Sequence, residues 1–242
     1  MIKLRFVRGW RAEDSAPRPA RGSALNFIAG ILLPLFALAA EGCAFSNLKV
    51  SPPQPQVLAQ PPSMGRGREV VLVMPFADRR PIPARCGMQK NGYGMDTADV
   101  GCTVPPPVWL AQTLAHALTT AGFRVNTNPA MQRPSSVRID GTVLQFFVEP
   151  DVGFFTFTPE ADISVRLVVS SQSGLYAERT FYFKGVETSL VGTESNFQKA
   201  ADTATTQAVT VMVKAITMLL DRYPQLGTPA ALSVLDNKEI GQ

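Results

Sequence analysis

Val137-Arg-Ile-Asp-Gly-Thr-Val143 sets Val137, Ile139, Gly141 and Val143 on one side of an extended chain and Arg138, Asp140 and Thr142 on the other. Successive side chains of a strand point to opposite faces, so this is the period of a sheet with one dry and one wet face. The alternation returns in Ile163, Val165, Leu167 and Val169 against Asp162, Ser164 and Arg166, and again at Phe181 and Phe183. Ser171-Gln-Ser-Gly174 has the composition of a hairpin turn between the last two. Three consecutive strands with short connections predict an antiparallel meander whose dry face needs a cover.

Two helical segments supply that cover. In residues 108–120, Leu110, Leu114, Ala117 and Leu118 recur on one face, continued by Ala121; Pro105, Pro106 and Pro107 mark the start and Gly122 the end. The single histidine, His116, falls opposite this stripe and is predicted to be a surface residue. Residues 196–223 form a longer helix, with Ser195 and Gln198 at capping-box spacing and Pro224 as the stop. Its expected inner stripe is Phe197, Ala201, Ala204, Ala208, Val211, Ala215 and Met218, widened by Val209, Val213, Ile216 and Leu220. Ahead of these lies Glu69-Val-Val-Leu-Val-Met-Pro-Phe76, a nearly continuous apolar run that reads as a buried strand. Phe123 and Val125 begin a further short extended segment. The expectation is an α+β fold, a mainly antiparallel sheet with two principal helices packed on one face. It occupies residues 69–224 as one domain, followed by a polar tail at 225–242.

Within that domain, residues 81–104 show little periodicity and read as a long loop containing Cys86 and Cys102. A loop of this length is uncommon unless stapled or functional. In an oxidising compartment the two cysteines would form a disulfide worth about 3 kcal/mol on the chain-entropy account. A rival reading joins them with Met88 and Met95 as soft donors for Cu(I), although no histidine lies nearby to complete the set.

The segment 44–68 is rich in Pro, Gln and Gly and reads as a linker reaching about 75 Å if fully extended as polyproline. Before it, Phe27-Ile-Ala-Gly-Ile-Leu-Leu-Pro-Leu-Phe-Ala-Leu-Ala-Ala40 is too short for a spanning helix, which needs about 20 residues, and follows six basic residues. It has the form of an export signal covering residues 1–42. Ala40-Glu-Gly-Cys43 looks like a bacterial lipobox, in which Cys43 would be diacylated on sulfur and N-acylated after cleavage. Glu41 departs from that pattern, and Ala37-Leu-Ala39 offers an alternative cleavage site that would release a soluble protein. Lipidation of Cys43 leaves Cys86 and Cys102 as an even pair. Ala44, where the retention signal for the inner membrane would be aspartate, points to the outer membrane, with the domain on its periplasmic face.

The 242-residue chain has 23 Lys/Arg and 19 Asp/Glu. Residues 1–42 hold six of the former and three of the latter, leaving 17 against 16 after cleavage. A nucleic-acid partner therefore loses its electrostatic support. The sequence contains no nucleophile elbow, phosphate-binding glycine loop or histidine pair, and calls for no cofactor. Phe154, Phe155 and Phe157, between Pro150 and Pro159, are the candidate contact surface for a partner or lipid, unless they merely carry a strand into the core.

The order of elements resembles the YajG family of bacterial lipoproteins over residues 69–222. The resemblance is carried by the lipobox-like end, Phe76-Ala-Asp-Arg-Arg-Pro81, Ala161-Asp-Ile163, the turn at Gly174, Tyr182, and Ser195-Asn-Phe197. The cysteine loop departs from it. The resemblance implies an outer-membrane lipoprotein and no catalytic residues. The expected function is that of a non-enzymatic, membrane-tethered module binding or stabilising another envelope protein. The alternative is a soluble periplasmic binding protein for a small apolar ligand or metal.

Overall fold

The computed structural model describes residues 47–53, 63–128, 130, 133, 136–154, 156–189 and 192–227. In chain order the elements are β1 (Leu48–Val50), β2 (Glu69–Leu72), β3 (Ala77–Asp78), β4 (Gly87–Lys90), β5 (Asp96–Cys102), α1 (Pro106–Thr120) and β6 (Arg124–Asn126). There follow β7 (Val137–Val152), β8 (Phe157–Ser170), β9 (Tyr176–Val186), α2 (Glu194–Arg222) and a 3-10 turn, Pro224–Gly227.

The meander β7–β8–β9 is the frame. β7 has 16 residues, so at about 3.4 Å each it is roughly 50 Å long. One edge of β7 pairs antiparallel with β8 along its length, from Arg138 opposite Ser170 to Val152 opposite Phe157. Its other edge is divided among three short parallel partners: β2 at Val137 to Ile139, β3 at Thr142 and Val143, and β4 at Val148. β6 extends the sheet beyond β2, while β5 and then β1 extend it beyond β4. The result is a mixed, mostly antiparallel sheet of nine strands among the described residues. Its upper end lies where β7 finishes at Val152, its lower end where β7 starts at Val137.

The period of two is present but changes phase. Val137, Ile139, Gly141 and Val143 are buried; a register shift between Val143 and Gln145 inserts Leu144, after which Phe146, Val148 and Pro150 point inward. A bulge adds one residue and so exchanges the two faces. β8 keeps its phase from Pro159 to Val169. Gly174 at the β8–β9 turn has φ of 84°, a left-handed value natural to glycine.

Both helices lie on the dry face and share one core with the sheet, in which Trp109 of α1 sits 4.8 Å from Phe146 of β7, ring to ring. α1 begins with Pro106 at its first position and ends at Thr120, with Ala121 as its C-cap, and His116 is exposed as expected. In length and composition α2 could cross a bilayer, but its inner face is buried in this core. That face departs from the expected stripe. Val211 and Met218 are exposed, whereas Thr205, Val209, Met212, Val213, Ile216 and Leu220 are buried. A strict four-three stepping drifts about 20° per heptad around a straight helix, so the later members rotate away from the sheet.

Three further expectations are corrected. Leu48–Val50, inside the segment read as linker, is a strand pairing parallel with β5. Among the described residues the fold therefore includes β1, ahead of residue 69, and residues 64–68 are also held to it, with the Gly65 N–H donating to Ala121 O at 2.6 Å. Residues 81–104 are not a loop without structure, because β4 and β5 form a hairpin there. The capping box does not form: Thr193 is the N-cap residue, without a side-chain hydrogen bond, and Gln198 binds elsewhere. In the tail, Leu226 is buried; residues 228–242, like residues 1–42, expected to be an export signal, and Cys43, lie outside the described residues.

Candidate functional site

Cys86 and Cys102 are joined, with their Cα atoms 5.7 Å apart, and staple the open end of the β4–β5 hairpin. Joined sulfurs are not thiolate donors. Met88 is buried in β4 and Met95 exposed on the turn, so the soft donor set of the rival reading does not converge. Among the described residues no group of three or more His, Cys, Asp or Glu gathers as a metal site.

The three phenylalanines separate. Phe157 belongs to β8 and packs on Phe197 of α2 with ring centroids 6.0 Å apart, which is a core role. Phe154 is 92% exposed on the β7–β8 turn. Phe155 lies outside the described residues.

The residues that carry the family resemblance are mostly structural. Arg80 is buried and donates from Nε and Nη2 to the carboxylate of Asp78, then to the carbonyls of Pro83 and Arg85, fixing the entry to the hairpin. That guanidinium holds the Asp78 carboxyl below its ordinary range. On the wet face Tyr182 donates to Asp162, which raises the tyrosine's pKa, and Lys184 pairs with Glu160 at 2.6 Å.

The surface that sequence patterning missed is at the lower end. As α2 leaves the sheet, it uncovers an open apolar groove of about 270 Å³ lined by Leu167, Val169, Phe181, Ile216 and Leu219, among others. Arg179 and Arg222 stand on its rim, over the rings of Phe181 and Tyr223 at 5.1 and 5.6 Å. The groove continues past Tyr223 toward Leu175, Tyr176 and Leu226. Beside it β9 pairs only with β8 among the described residues, so its outer edge is open. On the other side of the α2 terminus is a polar cleft of about 550 Å³ with Arg66, Arg68, Arg124 and Arg133. Asp221 and Glu69 pair with three of these arginines. The signal for the groove was available in Met218, an apolar residue off the buried face of α2, and in Tyr223, just past its end.

A one-sided sheet covered by two helices and stapled by a disulfide defines the class as a small α+β domain. The profile of a family described as uncharacterized lipoprotein, the YajG family, matches residues 55–218, and the chain belongs to this family. Among solved structures, a DUF330-family protein from Xanthomonas campestris is 20% identical, with a TM-score of 0.54, over 72% of this chain and 98% of its own. Lipoprotein GNA1162 from Neisseria meningitidis is 13% identical, with a TM-score of 0.29, over 64% and 99% respectively. The first shares the fold. No curated protein matches the chain.

Proposed function

We propose that this protein is a non-enzymatic module held on the periplasmic face of the outer membrane by lipid on Cys43, and that it binds another envelope protein through its lower end. Membership of a lipoprotein family supports the tether. The observation that carries the binding reading is the apolar groove between β9 and the end of α2, bordered by an open strand edge and by Arg179 and Arg222. An extended segment can add a strand to such an edge and place alternate side chains in the groove. The rim arginines favour a segment carrying acidic residues beside its apolar ones.

The test is photo-crosslinking in cells from Arg179 and from Met218, with Thr142 on the opposite face as control. Adducts to one envelope protein from the first two positions, weakened by Ala177→Asp, support the reading; equal adducts from all three positions, or none, overturn it. The apolar lining also favours a second reading, a small apolar ligand in the groove. Its volume lies just below the common range for ligand pockets, about 300–1,000 Å³, so only a short chain would be buried. Native mass spectrometry of protein extracted without detergent checks that occupant.

A further inference from the structure

The start of β1 changes what a tether at Cys43 would do. From Cys43 to Leu48 there are five residue steps, which span at most about 18 Å when fully extended. Strand register places the end of that span. Leu48 lies opposite Val100, Val100 opposite Gly87, and Gly87 opposite Val148. β1 runs against β7, so Leu48 is the upper end of β1 and Asn47 enters it from that side.

The same end holds two hairpin turns. Asp96, where β5 begins, is four residues above Val100, and Phe154 is six beyond Val148. At about 3.3 Å per residue the turns rise roughly 15–20 Å above Leu48, about the full length of the tether. Lys90 and Glu149, at 2.7 Å, join the two hairpins just below their tips.

Both turns present large apolar side chains to solvent: Tyr93 is 89% exposed, Met95 58% and Phe154 92%. These are built positions. The Asn91 side chain accepts from the N–H groups of Tyr93 and Met95, each at 3.0 Å, and the Asn91 N–H donates to Met95 O at 2.9 Å. In the second turn the Gly153 N–H donates to Thr156 O at 2.9 Å. Charges nearby are mixed, with Lys90 beside Glu149, Asp96 and Asp151, so they select no strongly charged partner.

We infer that the upper end of the sheet rests on the lipid surface, with Tyr93, Met95 and Phe154 seated in the interface beside the acyl chains of Cys43. This rests on the tether proposed above. The occupant follows from the reach of the chain: a lipid on Cys43 cannot lie far beyond the tips, tyrosine favours the membrane–water interface, and an exposed phenylalanine buries at the headgroup–acyl boundary. The lower end, with its groove and arginines, then faces away from the membrane.

The test uses the full chain, processed and acylated in cells, in vesicles of phosphatidylethanolamine and phosphatidylglycerol with brominated acyl chains. Tyr93→Trp and Phe154→Trp are compared with Ser173→Trp on the β8–β9 turn at the lower end, against the buried Trp109 of the parent. The expected result is about a twofold loss of added fluorescence at 93 and 154, insensitive to salt, and none at 173. Equal quenching at all three positions, or none while mass spectrometry finds Cys43 acylated, overturns the inference and leaves the tether standing. An unacylated Cys43 in that same material overturns the tether, and the inference with it. Shielding of 93 and 154 in native membranes but not in lipid vesicles also overturns it, in favour of a protein contact.

Discussion

Gln198, in the second turn of α2, grips the backbone of Ser51 with both ends of its amide. Oε1 accepts from the Ser51 N–H at 2.8 Å, and Nε2 donates to the Ser51 carbonyl at 2.8 Å and to Asp202 at 2.7 Å. The residue that a capping pattern assigns to the helix start instead ties the end of β1 to the helix. Gln198→Ala should cost about 1–3 kcal/mol, because it leaves polar groups of a half-buried site unpaired. Hydrogen exchange should rise at Val50 and Ser51 while the centre of β8 stays protected; uniform change would contradict the local role.

The disulfide closes the β4–β5 hairpin across a sequence separation of 16. Replacing both cysteines by serine should lower stability by about 3 kcal/mol, read from urea denaturation of oxidised wild type and double variant. Reduction of the wild type should lower its midpoint toward that of the variant.

Gly185 lies where α2 crosses β9, and a Cβ there would come 2.1 Å from the Ala200 carbonyl oxygen and 2.6 Å from the Ala204 nitrogen. Backbone cannot yield as a side-chain tip can. Gly185→Ala should lift the helix from the strand and cost about 1–3 kcal/mol, with a lower thermal midpoint. Gly92→Ala, which has nothing within 4 Å of its added carbon, should change it little.

Arg80 depends on Asp78 for its charge partner. Asp78→Asn should destabilise the protein by about 1–3 kcal/mol, since the guanidinium stays buried while its carboxylate is lost. Asp78 has a folded pKa below its ordinary 3.8, so its contribution is present above that value and is lost as pH falls through the lowered one. Wild type and variant should therefore converge in stability on acidification below about pH 4. A gap that persists at full protonation would contradict this account.

The meander was legible because its side chains alternate against a single buried face, and the hairpin at Gly174 because its φ requires such a residue. α1 was legible down to the exposure of His116. What sequence did not disclose has physical causes. Leu48–Val50 is too short to show a period and is embedded in proline-rich chain. The bulge at Leu144 exchanges the faces of β7, so an alternation read from Val137 stops early. β4 and β5 look irregular because Gly87 gives way to the buried polar Gln89, not to an alternating apolar set. Of the candidate site residues, the disulfide pair is joined and Phe157 is core, while the groove depends on where α2 parts from the sheet. That is a tertiary property with no local signal beyond Met218 and Tyr223.

The tether, and with it the orientation of the groove away from the membrane, depends on the attachment at Cys43. The direct measurement is metabolic labelling with an alkyne fatty acid, followed by membrane fractionation of wild type and Cys43→Ser. The account predicts label on the wild type, sedimentation with the outer membrane, and loss of both in the variant. Unlabelled wild-type protein in the soluble periplasmic fraction, or labelling and localisation unchanged by Cys43→Ser, would contradict it.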